Sequence, residues 1–405
     1  MKSINSNLLR EQSEVAKAIE MPTEKYRLWC DASSPYSWKL RSYFHYKNIA
    51  YRRMRSNLTA YFTQIPEKVG MSIIPVVLTP DGQVMQDTTP MMEEFERLHP
   101  QRSCVPEDPR LAALMWILED FGDEYLVRFA MHYRWGNDLN RDALSHRLAR
   151  AMCYGQADMH PRDIAGMVLD RQSGFDLPLG LTSEAARQAI DQQLLELLDI
   201  LDRHFSQYQF LLGDRPSLAD FAVFGQLYAH LYQDPFSARI MECHGARCCN
   251  WLDAMLEMGD QRGELGQCEF GEWLDFTVEL PSTLQELLSF AAKTWLPYSG
   301  GTARALALGE KRMTISISGV PTDFLAAQYK AWSFEQVQLK LKRLNDADIR
   351  GLTPVLEQSG LLPELLLAEP YHIDLYDDFT PPYIVDGVAD AKLRYLRDKQ
   401  ARQTE

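Results

Sequence analysis

The sequence has no apolar run that approaches the roughly 18 residues of a membrane-spanning helix. It also lacks an excess of positive charge, because 42 Lys and Arg stand against 56 Asp and Glu and give a net charge of −14. Phosphate groups and anionic lipid surfaces are bound by clustered Lys and Arg, so this balance argues against both as partners. We therefore expect no nucleic-acid partner and no membrane partner.

Cysteine and histidine patterns typical of metal sites are also missing from the sequence. The seven cysteines include no Cys-x-x-Cys pair and the nine histidines form no His-Glu-x-x-His motif, so we expect no metal. Cys248 and Cys249 are adjacent, and unstrained disulfides rarely join neighbours, so we expect free thiols and a reducing, cytoplasmic location. The polar first residues predict an N-terminal helical extension over 1–24 rather than a signal peptide.

The 405 residues are 46% hydrophobic and 24% charged, which is typical of a soluble protein with two or three domains. Residues 25–100 alternate strand and helix signals in the order strand, helix, strand, helix-like stretch, strand, strand, helix, which predicts a small α/β domain. The expected strands are Tyr26–Cys30, Ile49–Met54, Ile73–Thr79 and Gln83–Met85, and the expected first and last helices are Tyr36–Tyr46 and Pro90–Leu98.

From Pro109 onward the apolar residues recur at helical spacing, which predicts an all-α domain over 105–265. Between its two long apolar stripes, residues 136–180 are more polar and are interpreted as a helix with an excursion. Ser217 and Asp220 have the spacing of a capping box, which indicates a helix start.

Residues 270–405 predict a third, mostly helical unit, a C-terminal extension whose role the sequence does not indicate. A β-hairpin is expected within it, with Arg312–Ser318 against Phe324–Ala327 around a Gly-containing turn. The chain beyond Pro363 is expected to be irregular. The helices expected in this extension are Leu284–Leu296 and Phe334–Leu344.

Two hydroxyls, Ser33 and Ser34, stand between the first strand and its helix, followed by Pro35. A helix N-terminus carries backbone N–H groups and about half a positive charge, so a hydroxyl there is well placed to hold an anion. The plain alternative is an N-cap. Residues 25–55 contain eight Lys or Arg and one acid, Asp31, a charge distribution that either steers an anionic ligand or forms a solvated basic face.

Two more local features flank the later strands of the α/β domain. Proline has no N–H and fits badly inside a central strand, so Pro75 is expected at a strand start in the cis form, which exposes the backbone of Ile74. A trans Pro75 is the alternative. Asp87 and Thr88 place an acid and a hydroxyl before the closing helix, where they suit an ammonium and a carboxylate or act as simple caps.

Together these features resemble those of the glutathione S-transferase family over about residues 25–260. The Ser33–Trp38 turn is similar to that of serine-type members, and the Ser217 capping box is similar to a folding element of their second domain. The resemblance implies a thioredoxin-like α/β domain over 25–100 followed by the all-α domain. It also implies glutathione as co-substrate, a small electrophile as the second substrate, and a homodimer.

The resemblance further implies roles for single residues. Ser34 is expected to be the catalytic residue that stabilises the glutathione thiolate, with Asp87 on the γ-glutamyl ammonium and Thr88 on its carboxylate. The backbone of Ile74 is expected to pair with the cysteinyl part of glutathione. The other expected substrate-binding residues are Ser33, Tyr36, Pro75, His132 and Arg134, of which His132 and Arg134 either line the second-substrate pocket or serve packing.

One position departs from the family pattern. The residue two before the cis proline is usually polar in relatives and is Ile73 here, so the glycyl carboxylate needs another partner, for which Lys68 is the candidate. The expected function is conjugation of glutathione to small electrophiles. A non-catalytic binding or scaffolding protein on the same fold is the main alternative, and a glutathione lyase or peroxidase is a third.

Overall fold

The computed structural model describes residues 25–70, 72–155, 158–172, 176–258 and 270–371. The expected N-terminal helical extension over 1–24 lies outside these ranges. Internal contacts group the described residues into two units. The first unit contains residues 25–31 and Ile49–Met91, and the second contains Ala32–Asn48 together with the described residues from Met92 onward.

The chain alternates short strands and helices before it becomes almost wholly helical. The strands are β1 Tyr26–Cys30, β2 Tyr51–Arg55, β3 Val76–Leu78, β4 Val84–Gln86, β5 Arg312–Ile317 and β6 Val320–Leu325. The helices are α1 Pro35–Tyr46, α2 Ile65–Val69, α3 Thr88–Leu98, α4 Pro109–Asp120, α5 Val127–Gly136, α6 Asp138–Met152, α7 Pro161–Gln172, α8 Glu184–His204, α9 Leu218–Gln226, α10 Pro235–His244, α11 Ala246–Glu257, α12 Ser282–Ala307, α13 Gln328–Lys342 and α14 Asp346–Ser359. The π-helical segments are π1 Ala60–Gln64, π2 Phe121–Tyr125, π3 Leu227–Tyr232 and π4 Pro363–Leu367.

A four-stranded sheet with the strand order β2-β1-β3-β4 forms the centre of the first unit. β1 and β2 are parallel, whereas β3 is antiparallel to both β1 and β4. Trp29 is fully buried in a core between the sheet and the π1–α2 segment. The other buried members of that core are Ala60, Ile65, Val69, Val76 and Leu78. The order of strands and helices from β1 to α3 confirms the expected thioredoxin-like α/β domain.

The second unit is built around α9, every residue of which is buried. This helix begins at the predicted capping box: the Asp220 carboxylate accepts hydrogen bonds from the backbone N–H groups of Ser217 at 2.8 Å and Leu211 at 2.9 Å. Burial raises the pKa of Asp220 to about 6, despite these hydrogen bonds. The capping box therefore fixes both the start of α9 and the loop before it.

The C-terminal extension belongs to the second unit and packs on α4, π2 and α8. Phe290 of α12 meets Phe121 edge to face at 6.0 Å between ring centroids, and Arg203 of α8 donates to Glu286 at 2.6 Å. A hairpin is present as predicted, β5–β6, with Ile317 opposite Val320, but its second strand starts at Val320 rather than at the expected Phe324. Its two-residue turn has Ser318 at φ 50° and Gly319 at φ 82°, as a type I′ turn requires.

Several element bounds differ from the expected ones. Residues 136–180, interpreted as one helix with an excursion, contain two helices, α6 and α7, and the side chain of Asn137 caps the start of α6. The strand expected over Ile73–Thr79 is shortened to β3, which starts only after Pro75. The chain after Pro363, expected to be irregular, forms π4, and residues beyond 371 lie outside the described ranges.

Two further features concern the thiols of α11 and the apolar character of the helices. Cys248 and Cys249 are both free thiols on α11, as predicted. Among the helices of the described ranges, none has the length and apolar character that crossing a bilayer demands.

Candidate functional site

The first unit places its predicted site residues at one end of the sheet. Val76 pairs with Gln86 in the antiparallel β3–β4 register, so Pro75, which precedes β3, and Asp87, which follows β4, lie at the same end. The Ile74–Pro75 peptide bond is cis, as expected. Since Pro75 has no N–H to donate, the ladder begins at Val76.

Asp87 connects β4 to α3 in an unusual backbone conformation. Its φ of 70° lies in the left-handed region, which Asp adopts more readily than most residues. Its carbonyl accepts the Met91 N–H at 3.1 Å, and Thr88, the first residue of α3, is buried. Strained residues of this kind cluster at ligand-binding positions, and the start of α3 is suited to a carboxylate.

Ile73 and Ile74 are half-buried and pack against the apolar core of the first unit. The Ile73 side chain therefore cannot supply the polar contact that relatives have at this position. The role predicted for Ile74 needs only its backbone, so packing of its side chain in the core is compatible with that role.

In the second unit, Ser34 is the N-cap of α1. Its hydroxyl oxygen accepts the Ser37 N–H at 3.2 Å, and its carbonyl accepts the Trp38 N–H at 3.2 Å. Pro35 occupies the first turn, where a missing N–H costs nothing. Ser34 is half-buried, and its hydroxyl retains a proton that it can donate to a ligand. The N-cap role and an anion-binding role are thus compatible.

The first turns of α1 are held by π2 and π3, two of the π-helical segments of the same unit. The Tyr36 hydroxyl donates to the carbonyl of Asp123 in π2 at 3.2 Å. The Trp38 ring packs edge-on against Tyr228 of π3 at 4.9 Å, and its Nε1 donates to the carbonyl of Ala32 at 2.8 Å. Tyr36, predicted to bind substrate, therefore also anchors the helix that carries Ser34.

Arg134 joins the Ser33 backbone to the end of π3. It is 3% exposed, and its Nη1 donates to the carbonyl of Ser33 at 2.9 Å. Its Nε donates to the carboxylate of Asp234 at 2.8 Å, and its Nη2 to the carbonyl of Ala229 at 2.5 Å. Every nitrogen of the guanidinium has a protein acceptor, so the geometry suits a residue that positions Ser33. A direct contact between Arg134 and substrate remains a prediction.

His132, one helical turn from the end of α5, faces α8. Its Nε2 lies 2.9 Å from the Asp191 carboxylate, to which Tyr133 also donates at 2.6 Å. Although burial raises the pKa of Asp191, hydrogen bonds from these two side chains leave it below its ordinary value. Among the described residues, the structure links Arg134 to Ser33 by a hydrogen bond but links His132 to Asp191. The substrate-binding role of His132 stays a prediction.

Sequence reasoning missed a group of buried charges beside α1. Lys39 is fully buried and pairs with Glu119 at 2.5 Å and with Asp123. Burial lowers the pKa of Lys39, but Asp123 and Glu119 together raise it above its ordinary value, so the ammonium is retained. The sequence does show acids that interrupt the apolar stripe of α4. It does not indicate which basic side chain they contact.

Two buried carboxyl groups of this region predict how stability depends on pH. Burial raises the pKa of Asp120 to about 8, with Glu124 adding to the effect, and burial raises the pKa of Asp123 to about 7 although Lys39 opposes it. In the unfolded chain both titrate near 3.9, so between about pH 4 and pH 8 the native state binds more protons. The stability that these two carboxyl groups contribute is complete below their pKa in the unfolded chain. It is lost as the pH rises through their pKa values in the native state.

We therefore expect the free energy of unfolding in urea to fall as the pH rises from 5 to 8, by up to about 1.4 kcal/mol per pH unit for each group. Asp120→Asn should flatten this dependence, and Asp142→Asn, at an exposed carboxylate on α6, should not. Equal pH slopes for Asp120→Asn and the wild type would contradict the assignment.

Comparisons with known proteins describe the same regions. Residues 30–103 match the family model "Glutathione S-transferase, N-terminal domain", and residues 184–230 match "Glutathione S-transferase, C-terminal domain". Among curated proteins, none matches the chain in sequence. In the described ranges, no group of three or more His, Cys, Asp or Glu side chains is arranged to hold a metal ion.

Solved structures of similar fold cover a little more than half of the chain. The beta-etherase LigF from Sphingobium sp. strain SYK-6 is 17% identical, with 58% of this chain and 98% of that chain covered and a TM-score of 0.43. A glutathione S-transferase from Methylobacterium radiotolerans, in complex with glutathione sulfonate, is 17% identical, with 64% and 100% covered and a TM-score of 0.36. FzlA from C. crescentus is 16% identical, with 57% and 87% covered and a TM-score of 0.38.

Proposed function

We propose, from the premise that this chain belongs to the glutathione S-transferase family, that it binds glutathione and conjugates it, by attack of its thiolate, to small electrophiles. The observation that carries the proposal is the position of Ser34, whose hydroxyl lies at the N-terminus of α1 and retains a proton to donate. A ligand thiolate beside this hydroxyl would accept its hydrogen bond and interact favourably with the helix dipole.

The energetics are adequate for this role. A free thiol has a pKa of about 8.5, so little thiolate exists at neutral pH. A charge-assisted hydrogen bond contributes about 1.5–3 kcal/mol, and each unit of pKa needs about 1.4 kcal/mol. Ser34 alone is therefore able to lower the thiol pKa by about one to two units. The remaining rate enhancement would come from holding glutathione in one orientation.

In this proposal the other predicted residues position the tripeptide. The backbone of Ile74, beside the cis bond to Pro75, pairs with the cysteinyl part, Asp87 binds the γ-glutamyl ammonium, and Thr88 with the start of α3 binds the γ-glutamyl carboxylate. Ser33 and Tyr36 shape the backbone on either side of Ser34, and His132 and Arg134 border the electrophile. The left-handed conformation of Asp87 supports a ligand-binding role at that position.

The test begins with retention of the wild type on immobilised glutathione, followed by conjugation of chlorodinitrobenzene. Ser34→Gly is the informative variant, because glycine costs a helix start only a few tenths of a kcal/mol as an N-cap but removes the hydroxyl. We expect it to lower kcat/KM about 10- to 100-fold near pH 6.5 and to raise the thiol pKa seen in the pH profile by one to two units. Ser42→Ala, at a buried hydroxyl later in α1, is the control.

A wild type that is retained and active, with Ser34→Gly unchanged in its pH profile, would exclude the thiolate role of Ser34. A wild type that is neither retained nor active would favour the alternative, a non-catalytic binding or scaffolding protein. One observation supports that alternative: Ile73 packs in the core where relatives provide a polar contact.

We further propose a cytoplasmic homodimer and a division of the chain into domains over 25–100, 105–265 and 270–405. The free thiols of Cys248 and Cys249 support a reducing location. Light scattering coupled to size-exclusion chromatography tests the dimer.

A further inference from the structure

The last turn of α4 and the π2 segment carry four buried carboxyl groups. Glu119, Asp120, Asp123 and Glu124 are between 1% and 6% exposed. Positions four apart lie on one side of a helix. The side chains of Glu119 and Asp123 therefore lie on one side, and those of Asp120 and Glu124 on a neighbouring side. The two pairs have different partners.

The Glu119–Asp123 pair faces α1. Both carboxylates bind the ammonium of Lys39, five residues after the Ser34 N-cap. The backbone of the same segment also reaches α1, because the Asp123 carbonyl accepts the Tyr36 hydroxyl. The segment from Glu119 to Glu124 thus holds the first two turns of α1 through a side-chain contact and a backbone contact.

The Asp120–Glu124 pair faces the C-terminal extension. Lys330 of α13 donates to the Glu124 carboxylate at 2.7 Å and to its carbonyl at 2.8 Å. The Asp120 carboxyl accepts the Trp295 indole N–H at 2.7 Å and the hydroxyl of Ser333. Two lysines, Lys39 and Lys330, neutralise the four carboxyl groups, and the extension supplies Lys330. It also supplies both described side-chain donors to Asp120.

The four carboxyl groups are close enough for the charge on one pair to affect the other. Burial raises the pKa of both Asp120 and Asp123, and repulsion from the neighbouring buried acids adds to it. Loss of the Lys330 ammonium leaves Glu124 as an uncompensated buried charge one residue from Asp123, which proton uptake, entry of water or movement of π2 must relieve. Movement of π2 displaces Asp123, the acceptor that Lys39 and Tyr36 share.

We propose that Lys330 is a positioning residue, through which the C-terminal extension fixes the Ser34 turn of α1 by way of the π2 segment. The inference rests on the proposed function for its catalytic consequence, whereas the coupling itself is a property of the fold. It gives the extension a role in the transferase site without a contact between Lys330 and substrate.

Hydrogen exchange of two amides reports on the coupling directly. The Ser37 N–H is bound by the Ser34 hydroxyl and the Trp38 N–H by the Ser34 carbonyl, so both slow down only while the turn is formed. In Lys330→Met we expect both amides to exchange about tenfold faster and the dissociation constant of glutathione to rise about fivefold. Lys330→Arg should restore most of the protection.

Lys342→Met is the matched control, since Lys342 lies on the same helix and pairs with the exposed Glu369. A Lys330→Met variant that is less stable but exchanges Ser37 and Trp38 like the control would overturn the proposal, because the lysine would then be structural only. If Lys330→Met does not fold, Ser333→Ala, which removes one donor to Asp120, is compared in the same way. Failure of the wild type to bind glutathione would refute the proposed function, and the exchange rates would still decide the coupling.

Discussion

Replacement of Arg134 by methionine is expected to lower the free energy of unfolding by about 3–5 kcal/mol. Methionine approximates the volume of the side chain but donates no hydrogen bond. The change removes the guanidinium from the fully buried Asp234 and takes the donors from the carbonyls of Ser33 and Ala229. A buried acceptor left without its donor costs about 1–3 kcal/mol, so the two carbonyls alone account for much of the loss.

Asp234 keeps one cation in this variant, because Arg147 donates to its carboxylate at 3.0 Å. The loss should therefore lie nearer the lower end of the range. Arg134→Lys should recover only part of the stability, since one ammonium cannot reach the three acceptors that the planar guanidinium serves. The Ser33 carbonyl is the acceptor whose release bears on function, because it precedes the Ser34 N-cap.

Urea unfolding measured at one pH tests this expectation against Arg141→Met. Arg141 pairs with Asp138 at the surface of α6, and exposed pairs of this kind contribute less than about 1 kcal/mol. Similar losses in the two variants would show that the Arg134 network contributes no more than a surface ion pair.

Local signals in the sequence predicted most of the fold. The strand Tyr26–Cys30, the capping box at Ser217 and the turn at Gly319 each depend on residues within a few positions, and the structure has each of them. The cis Pro75 was expected from its position at the start of a strand and is present. Such features can be predicted from the sequence because backbone geometry and hydrogen bonding within one segment determine them.

The buried charges could not be predicted from the sequence, because their partners lie far away along the chain. Lys39 counted as one member of a basic region that either steers a ligand or faces solvent, yet it is buried between acids 80 and 84 positions later in the chain. Arg134 finds its acceptors up to 101 positions away. A charged residue is buried only when tertiary structure supplies its partner, and no spacing along the chain records that partner. No local pattern in the sequence predicts the π-helical segments either. These include π2 and π3, which contact the first turns of α1.

The helix pair α1–α9 shows how closely the turn at Ser34 depends on one glycine. A Cβ atom added to Gly225 would lie 2.6 Å from the carbonyl oxygen of Pro35 and 3.2 Å from the Cβ of Lys39. The first of these is a backbone atom in the opening turn of α1, so it cannot rotate away. Only Gly allows α9 to approach this turn so closely.

Gly225→Ala is therefore expected to destabilise the protein by about 1–3 kcal/mol through overpacking, although alanine is favoured over glycine by about 1 kcal/mol inside a helix. Under the proposed function, displacement of the α1 opening turn should also weaken glutathione conjugation, by as much as about 100-fold if the Ser34 hydroxyl moves by 1 Å.

Gly166→Ala is the matched control, since a Cβ atom at this position in α7 meets no atom within 4 Å. There the helix preference acts alone, and stability should rise by up to about 1 kcal/mol. The opposite signs of the two changes in thermal or urea unfolding distinguish close helix contact from helix preference. A Gly225→Ala protein as stable and as active as Gly166→Ala would mean that α9 does not hold the α1 turn at the observed distance, and the placement of Ser34 would then need another explanation.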